Sequence, residues 1–92
     1  MHLAAVFACN FTNQMYTIAE QLLVESALDF EILKPLIAET ANKIQANDPQ
    51  NAQTGPAKRK DLQTITNHIA LLEDKDLIDV YKLISNQILK QE

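Results

Sequence analysis

Apolar residues recur at intervals of three and four along most of this chain, the spacing of one face of an α-helix. Phe30, Leu33, Ile37, Ala41 and Ile44 form one such stripe, widened by Leu36 and Thr40. Leu62, Ile65, Ile69 and Leu72 form a second, and Leu77, Val80, Tyr81, Ile84 and Ile88 a third. The pattern differs near the amino terminus, where Leu3, Ala4, Ala5, Val6, Phe7, Ala8, Cys9 and Phe11 leave almost no polar face. A helix that is apolar all round is a buried helix. Four helices of this size cannot surround one of their own number, so a second copy of the chain or a further domain is expected to cover it. The predicted fold class is all-α, with four main helices at about 2–27, 30–46, 62–72 and 77–90 and a long 47–61 loop.

Helix starts are marked by aspartates. Asp29, Asp61 and Asp76 each precede an apolar-periodic run and read as N-caps, with Asp79 adding charge to the positive end of the last helix. Pro35 lies too deep for a first-turn proline and would cost about 3 kcal/mol inside a helix. A kink there, or a helix whose regular part begins there, is expected. Asn10, Asn13, Thr17 and Glu20 form a polar stripe on the first helix. Asn10 sits among its most apolar residues, and a buried amide needs a partner. That partner is either a neighbouring helix or a ligand in a cleft.

Composition narrows the class. Ninety-two residues, 47% of them apolar, make one domain, residues 1–92, rather than two cores or a disordered chain. One glycine and three prolines leave few turns, which favours long helices over many strands. A net charge of −4 speaks against nucleic acid as a partner. The single cysteine, Cys9, fits a reducing, cytoplasmic location. Residues 3–9 lack the preceding positive charge and the length of a signal core. No apolar run approaches the roughly 20 residues of a membrane span, so no membrane is implied. There is no G-x-G-x-x-G after a strand and no P-loop. His2, Cys9 and His68 do not have a zinc-site spacing, so no metal is expected.

The candidate chemistry gathers in Gln53-Thr54-Gly55-Pro56-Ala57-Lys58-Arg59-Lys60-Asp61. This stretch holds the only glycine and three of the eight basic side chains. It belongs to a connection longer than packed helices ordinarily need, and such loops are often functional. The Thr54 hydroxyl, the Gly55 amide and the Arg59 guanidinium could together hold a carboxylate or phosphate; a plain turn is the other reading. His68 falls two turns after Asp61 on roughly the same face, about 10 Å along the axis. It is either a packed, hydrogen-bonded residue or the one side chain nearby of a type that titrates near neutrality.

The run from His2 through Phe11, the segment 33–40, Gln53-Thr54-Gly55-Pro56-Ala57, Arg59 with Asp61, and Thr64-Ile65 with His68 together resemble a known family. It is the helical carboxy-terminal domain, catalogued as a domain of unknown function, of bacterial Rossmann-like oxidoreductases. These proteins are similar to the NADP-dependent ketopantoate and pyrroline-carboxylate reductases. Their helical domain is related to that of 6-phosphogluconate dehydrogenase. The resemblance covers nearly the whole chain, with one departure: the family often has glycine where this chain has Lys60.

What the resemblance implies is a Rossmann domain preceding Met1 in the same polypeptide, absent from this chain, and a homodimer formed through the helical domains. Cofactor is implied for the full-length protein as NAD(P), with none held by this chain. A small-molecule substrate would lie in the interdomain cleft. By position, Asn10, Thr54, Gly55, Arg59 and Asp61 would line it; the catalytic residue is not specified, with His68 the candidate. The chain alone is then a substrate-binding and dimerisation domain that catalyses nothing without its nucleotide-binding partner. The competing reading is a stand-alone helical protein–protein interaction module, with the first helix and the loop as its binding surface.

Overall fold

The computed structural model describes residues 1–91, and every regular element among them is helical. The chain divides into two compact units, Met1–Asn42 and Lys43–Glu92.

In the first unit, α1 (His2–Ala5) passes directly into a π-helical segment (Val6–Phe11) and on into α2 (Thr12–Glu25). The backbone stays right-handed helical through both junctions, at Ala5 and at Phe11, so this is one continuous helix with a widened stretch inside it. The sequence pattern predicted the helix but not the π segment, since periodicity of three and four does not register one extra residue in a turn. Thr12 supports the wide turn: its hydroxyl donates to the Phe7 carbonyl five residues back, at 3.3 Å.

The widened turn has a geometric consequence. Four residues overshoot one α-helical turn by about 40°, whereas the i→i+5 turn of a π segment is undershot by four. Opposite errors largely cancel, so Leu3, Phe7, Phe11 and Met15 form one ridge. The rings of Phe7 and Phe11 meet edge to face, with centroids 5.0 Å apart. The ridge is exposed: Leu3 70%, Phe7 62%, Phe11 48% and Met15 38%. The chain leaves uncovered the flank whose composition calls for burial.

The first helix ends at Glu25, two residues before the predicted end, in a Schellman motif. The Leu28 N–H donates to the Leu23 carbonyl at 2.9 Å and the Ala27 N–H to the Val24 carbonyl at 3.0 Å, with Ala27 at φ +57°. Glycine is the usual residue there, and alanine hides the stop from a sequence reader. Asp29 then caps as predicted, accepting from the Glu31 N–H at 2.9 Å. What it caps is a 3₁₀ turn (Phe30–Leu33), which leads into α3 (Lys34–Ala46) and folds back against α2. Pro35 is therefore the second residue of the α-helix, where its missing N–H costs no intrahelical bond. Of the two expectations for that proline, the late-starting helix is the one realised.

The second unit begins with the end of α3. The predicted long 47–61 loop is folded into two short turns. Asp48 and Pro49 start α4 (Pro49–Ala52), with proline at the first helical position. Gly55, at φ +100°, then turns the chain into a second helical turn, closed by Arg59 N–H to Gly55 carbonyl at 3.2 Å. A Cβ at Gly55 would meet nothing within 4 Å, so the left-handed backbone, and not crowding, is what requires glycine. This second turn ends as the first helix does. Asp61 N–H donates to the Pro56 carbonyl at 2.8 Å, Lys60 N–H to the Ala57 carbonyl at 3.1 Å, and Lys60 sits at φ +57°. Ala57, in the middle of the turn, is 5% exposed and is the buried apolar residue among those described. The loop is thus held by its own hydrogen bonds and anchored by one small side chain.

A left-handed conformation costs a non-glycine residue roughly 1–2 kcal/mol, most of which glycine avoids. Lys60→Gly should stabilise the fold by about 0.5–1 kcal/mol after glycine's greater unfolded-state entropy is counted. The check is a rise in urea midpoint with the slope of the transition unchanged.

α5 (Leu62–Leu71) and α6 (Lys75–Leu89) complete the unit. Leu72 caps the end of α5 instead of belonging to it. α6 starts two residues before the predicted position, and its cap is Asp74, not Asp76. The Asp74 carboxylate accepts from the backbone N–H of Asp76 at 2.8 Å and of Leu77 at 3.3 Å. Asp74 has the extended backbone that a cap requires, at φ −75° and ψ 122°, and Lys75 is already helical. Two aspartates on either side of one lysine are equivalent to a pattern reader; only the backbone angles separate them.

Candidate functional site

Five polar side chains of the second unit gather at the start of α5 and along its face toward α6. Asp61 is held hardest. Its Oδ1 accepts from the Thr64 N–H at 3.1 Å and its Oδ2 from the Thr64 hydroxyl at 2.7 Å. These two bonds, first the hydroxyl and then the amide, hold its pKa below the ordinary aspartate value, with smaller help from the charges of Arg59 and His68. Asp61 is thus the N-cap the sequence predicted, and both its oxygens are engaged by Thr64. Its backbone forms an inverse γ-turn, φ −84° and ψ 80°, with Leu62 N–H reaching the Lys60 carbonyl at 3.1 Å.

Arg59 lies on the same corner. Its Nη2 is 4.0 Å from Asp61 Oδ2, the outer limit of an ion pair, and its side chain is 62% exposed. A solvent-exposed pair at that distance contributes little. Asp61 does not occupy the guanidinium, whose donors remain available to an anion. Thr54 precedes the Gly55 turn and is exposed; its carbonyl accepts from the Gln53 side-chain amide at 3.0 Å, and its hydroxyl makes no hydrogen bond among the described residues.

His68 is exposed on α5. Its Nδ1 lies 2.8 Å from the hydroxyl of Tyr81 on α6, and the two rings meet edge to face at 5.8 Å and 87°. Partial burial raises the pKa of the Tyr81 phenol. The sequence placed Tyr81 on the inner face of the last helix but gave no sign of this bond, because the pairing depends on how α5 and α6 turn about the Leu72–Asp74 connection. Thr64, likewise, is read in the sequence only as part of a stretch of resemblance; its role as the clasp on Asp61 follows from the S/T position three residues after a cap.

Asn10 belongs to the first unit and lies within the π segment, a kind of distortion that recurs at functional sites. It is exposed and makes no side-chain hydrogen bond among the described residues. The structural hydrogen bond to a neighbouring helix, one of the two partners expected for its amide, is not made.

The fold is all-helical, and its second unit displays an arginine, a threonine hydroxyl without a hydrogen bond among the described residues, and a histidine–tyrosine pair. Among the described residues no helix is long and apolar enough to cross a membrane. A family model, domain of unknown function DUF2520, matches residues 1–88, and the chain belongs to that family. Among solved structures, the chain is similar to a protein from Bacteroides fragilis described as a "putative NADP oxidoreductase", at 48% identity over 97% of this chain with a TM-score of 0.93. The match covers 35% of that protein, so this chain spans about a third of its length. No curated protein matches.

Proposed function

We propose that this chain is the carboxy-terminal, substrate-binding and dimerising domain of an NAD(P)-dependent oxidoreductase whose nucleotide-binding Rossmann domain precedes it. The observation that carries this reading is the 48% identity across nearly all of this chain to about a third of a protein described as a "putative NADP oxidoreductase".

Dinucleotide binding is assigned to the other domain. A pyrophosphate is ordinarily cradled by a glycine-rich turn between a strand and a helix, whereas the Gly55 turn here leads into a single helical turn ended by Lys60. The bound nicotinamide supplies the hydride. The residues of this chain bind and orient the substrate. Arg59 takes an anionic group, Thr54 offers an uncommitted hydroxyl, the Gly55 turn lets the backbone approach closely, and His68 handles a proton. Asp61 fixes the corner on which Arg59 stands. Holding a substrate in this way contributes to rate mainly through orientation.

NADPH titration tests the reading. The polypeptide comprising this chain and the residues that precede it should bind NADPH in the micromolar range, and the 92-residue chain alone should bind none. Measurable NADPH affinity in the 92-residue chain would sink the assignment of the cofactor to a second domain.

A further inference from the structure

The contact between His68 and Tyr81 is built by two caps. Asp61 starts α5 and places His68 seven residues on; Asp74 starts α6 and places Tyr81 seven residues on. Each aromatic residue therefore stands two turns into its helix, and the short Leu72–Asp74 connection turns one helix back toward the other. The result is a 2.8 Å hydrogen bond at Nδ1 and an edge-to-face ring contact at 87°. Nε2 makes no hydrogen bond among the described residues, and the imidazole is exposed.

We propose that His68 is the acid–base group of this site and that Tyr81 is its positioning residue, accepting the Nδ1–H bond so that protons are exchanged only at Nε2. The proposal rests on the oxidoreductase reading for the reaction served, and on the geometry alone for the pairing. In the imidazolium both nitrogens carry hydrogen, so Nδ1–H must donate to the Tyr81 oxygen and Nε2–H faces outward. Passing the Nε2 proton to a basic oxygen or nitrogen of the substrate leaves a neutral ring with its hydrogen on Nδ1. The bond to Tyr81 is unchanged by that transfer, and the Nε2 lone pair takes the proton back in the reverse direction. Tyr81 keeps its own proton throughout; partial burial disfavours its phenolate. Tyr81 is the titratable group that faces the ring from α6, and Asp61, two turns back at the start of α5, is the nearest charged group on its own helix to feel it. A second-sphere partner that fixes one ring nitrogen is the general means by which proteins select a histidine tautomer.

The test uses ¹⁵N-histidine labelling of the polypeptide that carries this chain together with its preceding residues. Two-bond ¹H–¹⁵N spectra at high pH should show neutral His68 as the Nδ1–H tautomer, and Tyr81→Phe should shift it toward Nε2–H. Circular dichroism verifies that the variant keeps its helices. In turnover, Tyr81→Phe should lower kcat by about 10-fold with KM nearly unchanged, and His68→Gln by at least about 100-fold with loss of one limb of the pH profile. A dominant Nε2–H tautomer in the unaltered protein overturns the Tyr81 assignment. Full activity in His68→Gln overturns the acid–base role. Absence of NADPH binding by that polypeptide overturns the oxidoreductase reading and the catalytic role with it, while the tautomer reports on the pair independently.

Discussion

On the dimer proposed above, replacing Phe7 and Phe11 together with glutamate should leave the intact polypeptide a monomer at micromolar concentration. The two rings form the middle of the exposed ridge that runs from Leu3 to Met15, and they already contact each other at 5.0 Å. In a two-fold dimer the same patch appears on both subunits, so four rings are removed at once. Full burial of a phenylalanine is worth roughly 1.5–3 kcal/mol, and at 62% and 48% exposure about half of that is still to be gained. Four half-rings come to about 4 kcal/mol, or a rise of about 1000-fold in dissociation constant, before the cost of burying carboxylates is added. Glutamate is a good helix former, so the helix itself should survive. Sedimentation velocity with a parallel helicity measurement makes the check. A dimer that persists in the double variant would place the interface elsewhere.

Arg59→Ala should raise KM for the substrate by about 10- to 100-fold while changing kcat little, which is the loss expected when a charge-assisted hydrogen bond to an anion is removed. The structure makes this a clean variant. The 4.0 Å approach to Asp61 is exposed and contributes little, so thermal stability should hardly move. Asp61 keeps both bonds to Thr64 without it. Arg59→Lys should recover part of the loss, because lysine keeps the charge but cannot present two parallel donors to a carboxylate. Steady-state kinetics with hydroxy acids, keto acids and imines provide the measurement. An unaltered KM across every anionic substrate that turns over would remove Arg59 from the site.

The two expectations depend on different kinds of reading. That the first helix is too apolar to stand uncovered follows from residues 3–11 alone. Which of those residues form the uncovered ridge does not, because the π segment re-aligns Leu3, Phe7, Phe11 and Met15 in a way no α-helical wheel shows. Arg59 was singled out from its place after Gly55-Pro56. That Asp61 is committed to Thr64, leaving the guanidinium as the available group on the corner, appears only in the hydrogen bonds.

The four main helices are legible in the residues, because apolar spacing and capping aspartates act over one or two turns of chain. Asp29 and Asp61 cap where they were read, and the resemblance carried by residues 2–11 and 53–68 agrees with the family to which the chain belongs. Local signals failed where a position was locally ambiguous or lacked its usual residue. Asp74 and Asp76 are equal candidates until backbone angles are known, and Ala27 and Lys60 take left-handed conformations that glycine would have announced. That His68 meets Tyr81 is visible in the folded chain alone. Their contact spans thirteen residues and depends on the direction in which α5 and α6 leave a three-residue connection, a quantity that no periodicity in either helix encodes.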